Sequence, residues 1–550
     1  MRAAALEQDR RAGTRPDGDL GPAISVNGLR KGFETRDDHF TTARERVLHP
    51  LQTGKPEVLE ALRGVSFDVA HGEFVGIVGR NGSGKSTLLK CLSGIYSPDA
   101  GELRLAGRIA PFIELGVGFD PEMTARDNAI VSAVLLGLSP REARARFDDI
   151  VAFAELEPFL DLKLKNYSSG MVVRLAFAIT VQVDAELLLF DEVLAVGDSS
   201  FRRKCERHFE QLRDQGRTVL LVTHDMAEVE RVCDRALLLD GGRIVADGEP
   251  SDVAREYEKL NRRGTLSEAS PQRRAGRRER SGVRVGPAPA SPRRVAEIVF
   301  TLAVMQFKLR YLYSKLSYLW AVARPLAMFG IIYFFVTQVA GLDSGPNFPV
   351  YLLSAIVLWT FFEQSTHTAV GSMVHHEPLL RRVPLPHAAI PVSVVLTAMF
   401  DLAMNLIAVG ALLVAFGVEP RLSWLEIPVL IVLLATLVTG LSLLLSALYV
   451  RLRDVDQLWQ VATYALFFGS PIFYAATELP EGARPFFLAN PLAAVMTELR
   501  HALVDPAAPS AAAAMGGSVR LLAPLGVTFA AVALGLWVFR RETPRVIENL

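Results

Sequence analysis

The chain has 550 residues, of which half are hydrophobic and 21% are charged. This length exceeds that of one ordinary domain and predicts three or four structural units. The composition excludes long disorder, a collagen-like chain and a pure coiled coil. Because 59 basic residues balance 59 acidic ones, the bulk charge also excludes a strongly basic nucleic-acid-binding protein.

The cysteines and the N-terminal residues bear on the compartment. Cys91, Cys205 and Cys233 all lie in the first half of the chain. An odd number of cysteines predicts reduced cytosolic thiols rather than a disulfide framework. Residues 1–23 are rich in Arg, Asp and Gly and lack an apolar segment, which predicts a disordered N-terminus rather than a signal peptide.

Residues 24–260 are predicted to form a soluble α/β domain. Short apolar runs such as Phe74–Val78 and Leu187–Phe190 alternate there with charged, helix-forming stretches. Such runs are typical of buried parallel strands, and the alternation is typical of crossover helices.

The first of these strands is followed by a glycine-rich loop that opens a helix. This strand–loop–helix order is typical of a phosphate-binding loop, in which backbone N–H groups and a helix N-terminus surround phosphate oxygens. Lys85 is expected to reach the β- and γ-phosphates, and the Ser86 hydroxyl to bind Mg²⁺. The loop consists of Gly79, Arg80, Asn81, Gly82, Ser83, Gly84, Lys85, Ser86 and Thr87.

Three further side chains follow predicted strands. The run Leu187–Phe190 ends in Asp191 and Glu192, and His224 follows the strand-like run Val219–Val222. Together with an upstream phosphate loop, this pattern predicts Asp191 as a Mg²⁺ ligand and Glu192 as the base that polarises the attacking water. His224 is expected to contact the γ-phosphate, although a lone histidine at such a position is usually structural.

The composition changes abruptly after residue 260. Residues 261–294 contain ten Arg against two Glu, together with Pro, Gly and Ser. They show no hydrophobic periodicity and are predicted to form an Arg-rich flexible linker. A solvated tether is favoured over a nucleic-acid-binding arm, and anionic lipid headgroups could also hold the segment.

Residues 295–550 are predicted to form a membrane domain. Its first segment, 295–316, has basic and apolar residues at helical spacing, which is typical of an interfacial helix. About 20 apolar residues are needed to span a bilayer as a helix, and six charge-poor runs approach that length. They lie at about 319–340, 349–371, 391–416, 427–450, 457–477 and 521–539.

Basic residues flank these predicted spans unevenly. Arg381, Arg382, Arg451 and Arg453 lie in two short loops, whereas the opposite side carries few Arg over more chain. The positive-inside rule therefore places both termini in the cytoplasm of a multi-pass membrane protein. Four polar residues at membrane depth could line a translocation path or pair between helices, and both readings stay open: Arg324, Glu363, His367 and Asp401.

The nucleotide motifs resemble those of the ATP-binding cassette (ABC) family. The diagnostic match is the segment Tyr167-Ser168-Ser169-Gly170-Met171, which lies between the two nucleotide motifs. The general family pattern is Leu-Ser-Gly-Gly-Gln, so three of the five positions differ. The resemblance implies an α/β P-loop ABC ATPase domain fused to an all-α six-helix transmembrane domain, with ATP and Mg²⁺ as cofactors.

The resemblance also implies roles for residues outside the phosphate loop. Ser168 and Gly170 match the positions that contact the γ-phosphate held by a partner subunit, and Asp198 matches a position for communication across the dimer. Phe33 matches the aromatic residue that stacks on adenine, with an ordinary core phenylalanine as an equal alternative. Glu114 is the candidate for the position of the family's Mg²⁺-contacting Gln, which this segment lacks, and its carboxylate could bind the metal or a water.

The departures from the general pattern are similar to one subfamily, the exporters of teichoic acids, O-antigens and other lipid-linked polysaccharides. The segments Tyr167–Met171, Asp191–Asp198 and Gly469–Tyr474 carry this similarity. It implies a homodimer of fused half-transporters that uses ATP to export a lipid-linked polysaccharide across the cytoplasmic membrane, with no nucleic acid as partner.

Two other functions stay in view. The nearest is an ABC exporter of a smaller lipid or drug-like amphiphile. The other is a signalling complex that uses ATP to move an extracellular partner, but it would need a larger external domain than the roughly forty residues available here.

Overall fold

The computed structural model forms two compact units. Of the residues that the structure describes, the first unit comprises 21–35, 57–112 and those from 184 to 286, and the second comprises 116, 118–183 and those from 291 to 549. Residues 118–183 are thus grouped with the helices that follow residue 290, and the domain boundaries at residues 260 and 294 remain predictions. The structure describes residues 21–35, 57–112, 116, 118–191, 199–264, 273–275, 284–286, 291–311, 315–339, 341, 347–504 and 508–549.

The strands all lie in the first unit. In chain order they are β1 (Ile24–Thr35), β2 (Glu57–Val69), β3 (Phe74–Val78), β4 (Ala100–Leu105), β5 (Ile109–Phe112), β6 (Leu187–Asp191), β7 (Thr218–Val222), β8 (Arg235–Asp240), β9 (Arg243–Gly248), β10 (Arg273–Ala275) and β11 (Arg284–Gly286).

The helices are divided between the units. The first unit contains α1, α6, α7 and α8, and the second contains the others. Their bounds are α1 (Lys85–Leu92), α2 (Ala125–Leu135), α3 (Pro140–Ala145), α4 (Phe147–Ala154), α5 (Ser169–Val181), α6 (Ser199–Asp214), α7 (Met226–Val232), α8 (Pro250–Gly264), α9 (Pro292–Tyr311), α10 (Lys315–Phe334), α11 (Phe348–Val370), α12 (Ser372–His375), α13 (Glu377–Leu380), α14 (Ala389–Ala415), α15 (Glu426–Arg451), α16 (Val455–Phe468), α17 (Arg484–Leu488), α18 (Pro491–Leu499), α19 (Ala511–Met515) and α20 (Leu522–Asn549).

A six-stranded sheet forms the centre of the first unit. Its order is β5-β6-β7-β3-β8-β9, and every pairing is parallel except that of β8 with β9. All five residues of β3 and of β7 are buried, as expected for central strands covered on both faces. The predicted α/β fold is confirmed.

A second sheet contains two short strands from the predicted linker. Its order is β10-β2-β1-β4-β11, with β10 antiparallel to β2 and β11 parallel to β4. Within the described parts of 261–294, two three-residue strands pair with the sheet edges and α8 continues to Gly264, and the flexibility of the segment remains a prediction. Three-residue strands in an Arg-rich segment show no periodicity that the sequence could reveal.

The second unit contains the membrane helices. Four helical segments in the described part of the chain are long and apolar enough to cross a bilayer: Leu319–Val339, Ala389–Ala415, Leu422–Arg451 and Ser518–Thr543. They coincide with the first, third, fourth and sixth predicted spans. The chain is therefore a membrane protein.

The second and fifth predicted spans have different properties. Helix α11 has 23 residues and is largely buried within the unit, but it carries Glu363, Gln364 and His367. Helix α16 has only 14 residues and ends at Phe468, before the run Gly469-Ser470-Pro471 that cannot continue a regular helix. At 1.5 Å per residue α16 extends about 21 Å, less than the bilayer core.

Two glycines bring α15 and α20 into backbone contact. A Cβ atom at Gly535 would lie 2.2 Å from the carbonyl oxygen of Gly440, and one at Gly440 would lie 2.8 Å from the backbone of Val532. Small residues at such crossings allow close packing of spans. In contrast, Gly526 of the same helix has no atom within 4 Å of its Cβ position.

We expect Gly535→Ala to destabilise the protein by about 1–3 kcal/mol, because the added methyl group cannot fit without separating the helices. The control is Gly526→Ala, which adds the same atom to the same helix in open space. Apparent Tm in lipid nanodiscs measures the effect. Equal Tm values for the two variants would contradict this packing.

The three cysteines are buried in the first unit. Burial raises the pKa of Cys205 and of Cys233 to about 12 in each case. The thiolate of these two residues is therefore scarce at neutral pH, which makes them weakly reactive.

Candidate functional site

The glycine-rich loop has the geometry of a phosphate-binding loop. Gly84 precedes α1 with φ of 108°, and a Cβ atom there would lie 2.6 Å from the Ala61 carbonyl oxygen, so only glycine fits. The ammonium group of Lys85 donates to the carbonyls of Gly79 at 2.7 Å and Arg80 at 3.1 Å. The lysine is thus held across the loop, where it can meet phosphate oxygens.

The hydroxyl and amide groups of the loop are differently exposed. Asn81 and Gly82 are exposed at the tip, and Ser86 is exposed in the first turn of α1. The buried Ser83 hydroxyl has no hydrogen-bond partner in the described structure. An orphaned hydroxyl beneath the loop and free N–H groups at a helix N-terminus fit a bound polyphosphate. Thr87, the last residue of the motif, is half-buried in α1.

The strand ends bring two more predicted residues to the same edge of the sheet. In the parallel register Val222 of β7 pairs with Ile77 of β3 on one side and with Asp191 of β6 on the other. The phosphate loop follows β3, Asp191 ends β6, and His224 follows β7. Ligands bind at the carboxyl ends of parallel strands in such folds, so the predicted constellation of loop, acid and imidazole is assembled here.

The backbone around His224 is fixed by neighbouring side chains. The Thr223 hydroxyl accepts from the Asp225 N–H at 3.1 Å, and the Asp225 carboxylate caps α7 by accepting from the Ala227 N–H at 3.0 Å. The imidazole itself is exposed. It is therefore presented to solvent by a rigid turn, as a phosphate contact would require.

Phe33 lies in an aromatic and cationic cluster that the sequence did not indicate. Its ring meets the Tyr96 ring edge-on at 5.3 Å, and the buried Lys31 ammonium lies 5.4 Å from both ring centroids. Phe33 is only half-buried. The Phe33 ring thus packs against Tyr96 and Lys31 on one side, while part of its surface stays available for a nucleotide base. Its role as the adenine contact remains a prediction.

The signature segment begins a helix in the second unit. Ser168 caps α5, its hydroxyl accepting from the Met171 N–H at 3.3 Å. The buried Tyr167 donates to the Phe159 carbonyl at 2.8 Å, and burial raises its pKa to about 12. A Cβ atom at Gly170 would meet no backbone, the nearest atom being the Ser168 hydroxyl at 4.0 Å. The glycine therefore leaves open space above an exposed helix N-terminus, which favours an anion.

Three predicted site residues, Glu114, Glu192 and Asp198, lie outside the described residues. Their roles remain predictions.

The two family models that match the chain divide it in the same way as its motifs. The ABC transporter model matches residues 62–195, and the ABC-2 type transporter model matches residues 297–504. The first match contains the phosphate loop, the signature segment and Asp191. The second contains most of α9, from residue 297 onward, and most of the membrane helices.

Curated relatives match the ATP-binding part. The chain is 43% identical over 243 residues to the O-antigen export system ATP-binding protein RfbB of Myxococcus xanthus, covering 43% of this chain and 56% of the relative. It is 38% identical to the protein of that name from Klebsiella pneumoniae, and the match covers 43% of this chain and 98% of the relative. It is 40% identical to the teichoic acids export ATP-binding protein TagH of Lactococcus lactis, covering 43% and 51%.

The chain belongs to the ABC transporter family. It spans about half the length of the Myxococcus and Lactococcus relatives and nearly all of the Klebsiella one. An ABC ATPase domain and an ABC-2 type membrane domain are joined in one polypeptide, as the sequence motifs predicted.

Within the second unit of the transporter, α9 holds both ends of α2. Lys308 donates to the Asp127 carboxylate in the first turn of α2 at 2.6 Å. Arg294 donates to the carbonyl of Val134 in the last turn of α2 and, at 2.6 Å, to that of Leu138 just beyond it. The acid at the helix N-terminus and the cation at its C-terminus both agree with the helix dipole. The two helices therefore lie antiparallel and are joined twice.

The same α9 is bound to α14 of the membrane domain. Arg310 forms a 2.6 Å ion pair with Asp401, whose carboxylate also accepts from the Gln364 amide at 3.0 Å. Gln306 bonds the hydroxyls of Ser393 and Thr397 at 3.2 and 3.0 Å. Asp401 is therefore an interhelical pairing residue, which answers one of the alternatives left open by the sequence.

The remaining polar residues of the spans have mixed positions. The ring of His367 lies 3.1 Å from the Thr463 hydroxyl, an interhelical contact between α11 and α16. Arg324 and Glu363 form no ion pair with a described residue and line a cavity of about 340 Å³ together with polar neighbours. Its full lining is Arg324, Thr360, Glu363, Gln364, His367, Thr368, Gln460, Thr463 and Tyr464.

The loop between α11 and α14 lies beside the 118–120 segment of the same unit. A Cβ atom at Gly118 would lie 3.7 Å from the Leu379 methyl group, and Asp120 contributes electrostatically to the pKa of His376. Burial lowers the pKa of His376, and it lowers that of His387 to about 4.

We expect Lys308→Glu to destabilise the α9–α2 contact, because it places two carboxylates together. The reversal pair Lys308→Glu with Asp127→Lys should restore part of the loss. The coupling energy in a double-mutant cycle on apparent Tm should be about 0.5–3 kcal/mol. The exposed pair Lys259–Glu256 at 3.1 Å is the control and should give under about 0.5 kcal/mol. Equal couplings would disprove a special role for Lys308.

Stability should fall as the pH is lowered through the range set by His387. Its folded pKa near 4 lies below the ordinary value of about 6.5, so the unfolded chain binds the proton first. The contribution of neutral His387 to the free energy of unfolding is complete above pH 6.5. It falls by about 1.4 kcal/mol for each pH unit down to pH 4. Apparent Tm from pH 7.5 to 5 measures this, and His387→Gln should flatten the profile. An unchanged profile in the variant would refute the assignment.

Proposed function

We propose that this chain is one half of an ATP-driven exporter of a lipid-linked polysaccharide, such as an O-antigen or a teichoic acid. The observation that carries the proposal is the union, in one polypeptide, of an ABC-2 type membrane domain with an ATP-binding domain similar to those of O-antigen and teichoic acid export proteins. The alternative is export of a smaller lipid or drug-like amphiphile, and the gene-deletion experiment described below distinguishes the two cargoes.

The proposed ATP site needs two copies of the chain. Gly79–Thr87 would hold the phosphates of one ATP, with Ser86, Asp191 and Glu114 toward Mg²⁺. Ser168 and Gly170 of the second copy would close the site, with Phe33 on the adenine and Asp198 at the dimer interface. The exposed N-terminus of α5 supports this arrangement, because it offers hydrogen-bond donors to an anion from outside its own chain.

The proposed hydrolysis is carried by two side chains. Glu192 would orient and polarise the water that attacks the γ-phosphate, and His224 would hold the γ-phosphate from the adjacent strand end. The exposed imidazole on its capped turn supports the second role. Bound Mg²⁺ would supply charge neutralisation for the phosphates.

The proposed orientation places the ATPase domain and both termini in the cytoplasm. The loop before α14 carries Arg381 and Arg382, and α20 ends in a basic stretch that includes Arg540 and Arg541. Both belong to the side of the spans where basic residues concentrate.

We expect Glu192→Gln to retain ATP binding and to lower steady-state hydrolysis by about 100-fold or more, because general-base catalysis is lost. With ATP, the variant should accumulate as a dimer in native mass spectrometry. Glu249→Gln, an exposed carboxylate of the first unit, is the matched control. Unchanged turnover in Glu192→Gln would remove Glu192 from its role, and a monomer with bound ATP would reject the shared site.

Cargo is tested in the producing cell. Deleting the gene should trap polyprenyl-linked glycan inside the cell and deplete surface glycan, and the Glu192→Gln protein should fail to restore export. Normal surface glycan together with altered membrane lipid composition would favour the smaller amphiphile instead.

A further inference from the structure

The polar cavity of the membrane domain has a composition unlike its surroundings. It lies between α10, α11 and α16, and every lining side chain can form hydrogen bonds. Its volume of about 340 Å³ falls within the range of small-molecule sites. Polar groups within spans are costly unless they pair or face water or a ligand. A cavity with nine such groups is therefore a site rather than a packing defect.

Part of the cavity wall is held rigidly. The contact between His367 and Thr463 joins α11 to α16 at 3.1 Å. Beside it the Trp459 indole donates to the Thr366 hydroxyl at 3.0 Å. The amide of Gln364 is held by Asp401 at 3.0 Å. These bonds fix the wall in place, so the remaining groups are presented in a defined arrangement.

The two charged residues that line the cavity, Arg324 and Glu363, have no ion-pair partner among the described residues. By contrast, Arg310 and Asp401 of the same unit pair at 2.6 Å. The cavity thus offers one cation and one anion, and its net charge is zero. Gln460 adds an exposed amide, and Tyr464 adds a ring that is 69% exposed.

We propose that this cavity binds uncharged sugar units of the cargo and not its phosphate groups, an inference that rests on the proposed export function. Sugar hydroxyls act as donors and acceptors at once, and the mixed set of guanidinium, carboxylate, amides and hydroxyls matches them. Glu363 repels a phosphate that Arg324 alone would attract. Tyr464 offers an aromatic face at the rim.

Photo-crosslinking tests the site with the native cargo. A benzophenone amino acid is placed at Gln460, which lines the cavity, or at Gln457, an exposed amide of the same helix outside it. In glycan-producing cells position 460 should yield a periodate-sensitive glycan adduct of the full-length protein, and position 457 should not. Equal adducts, no glycan at 460, or a protein–protein adduct at 460 would each overturn the inference.

A second measurement uses soluble probes and the full-length protein in lipid nanodiscs. Maltotriose, a neutral trisaccharide, should show saturation transfer in NMR, and inorganic pyrophosphate should not displace it. Glu363→Gln should lower the affinity for maltotriose about tenfold or more, since it removes a charged hydrogen-bond acceptor. Gln460→Leu should lower this affinity about three- to tenfold, and Gln457→Leu should leave it unchanged. Apparent Tm checks that each variant is folded.

The outcomes separate the two proposals. If deletion of the gene leaves surface glycan normal, the export function fails, while the maltotriose measurement still decides the cavity. If export proceeds but maltotriose fails to bind the wild type, binds all variants equally or is displaced by pyrophosphate, the cavity inference alone is rejected.

Discussion

Two ion pairs on a short stretch of α9 connect residues 118–183, which belong to the part of the chain with the ATP-binding motifs, to the membrane helices. Lys308 pairs with Asp127 of α2, and Arg310 pairs with Asp401 of α14, each at 2.6 Å. Residues two apart on a helix point about 200° away from each other, so the two cations reach opposite sides of α9. Because Asp401 is buried while the Arg310 side chain is 34% exposed, breaking this pair would cost less than breaking a fully buried pair, which costs about 3–5 kcal/mol. Residues 118–183 are therefore connected through α9 to the membrane helix α14 within one compact unit.

The nucleotide site could be predicted from the sequence because its chemistry is local. A glycine-rich loop, an acid after an apolar run and a histidine after another run each depend on a few adjacent residues. The parallel register then places Asp191 and the residues after Val222 at one edge, which follows from strand order alone. The helical character of the membrane domain was equally accessible, since long apolar runs need no tertiary information.

The parts that the sequence could not reveal depend on distant pairings. The partners Lys308 and Asp127 are 181 residues apart, and neither position is unusual in its own helix. The strands β10 and β11 pair with sheet edges that are formed by residues far away in the sequence. Helix α16 stops at Phe468 because of local Gly and Pro, so the apolar run beyond it overstated the length of the span. The polar cavity likewise required three helices to meet before scattered Gln and Thr residues became one surface.

The distribution of thiols has a practical consequence. All three cysteines are buried in the first unit, and those at 205 and 233 have pKa values raised to about 12, whereas residues 289–550 contain none. Maleimides and spin labels react with thiolates at exposed positions. A single engineered cysteine in the spans would thus be modified selectively in the native background, which opens distance spectroscopy of the working transporter without first rebuilding its interior.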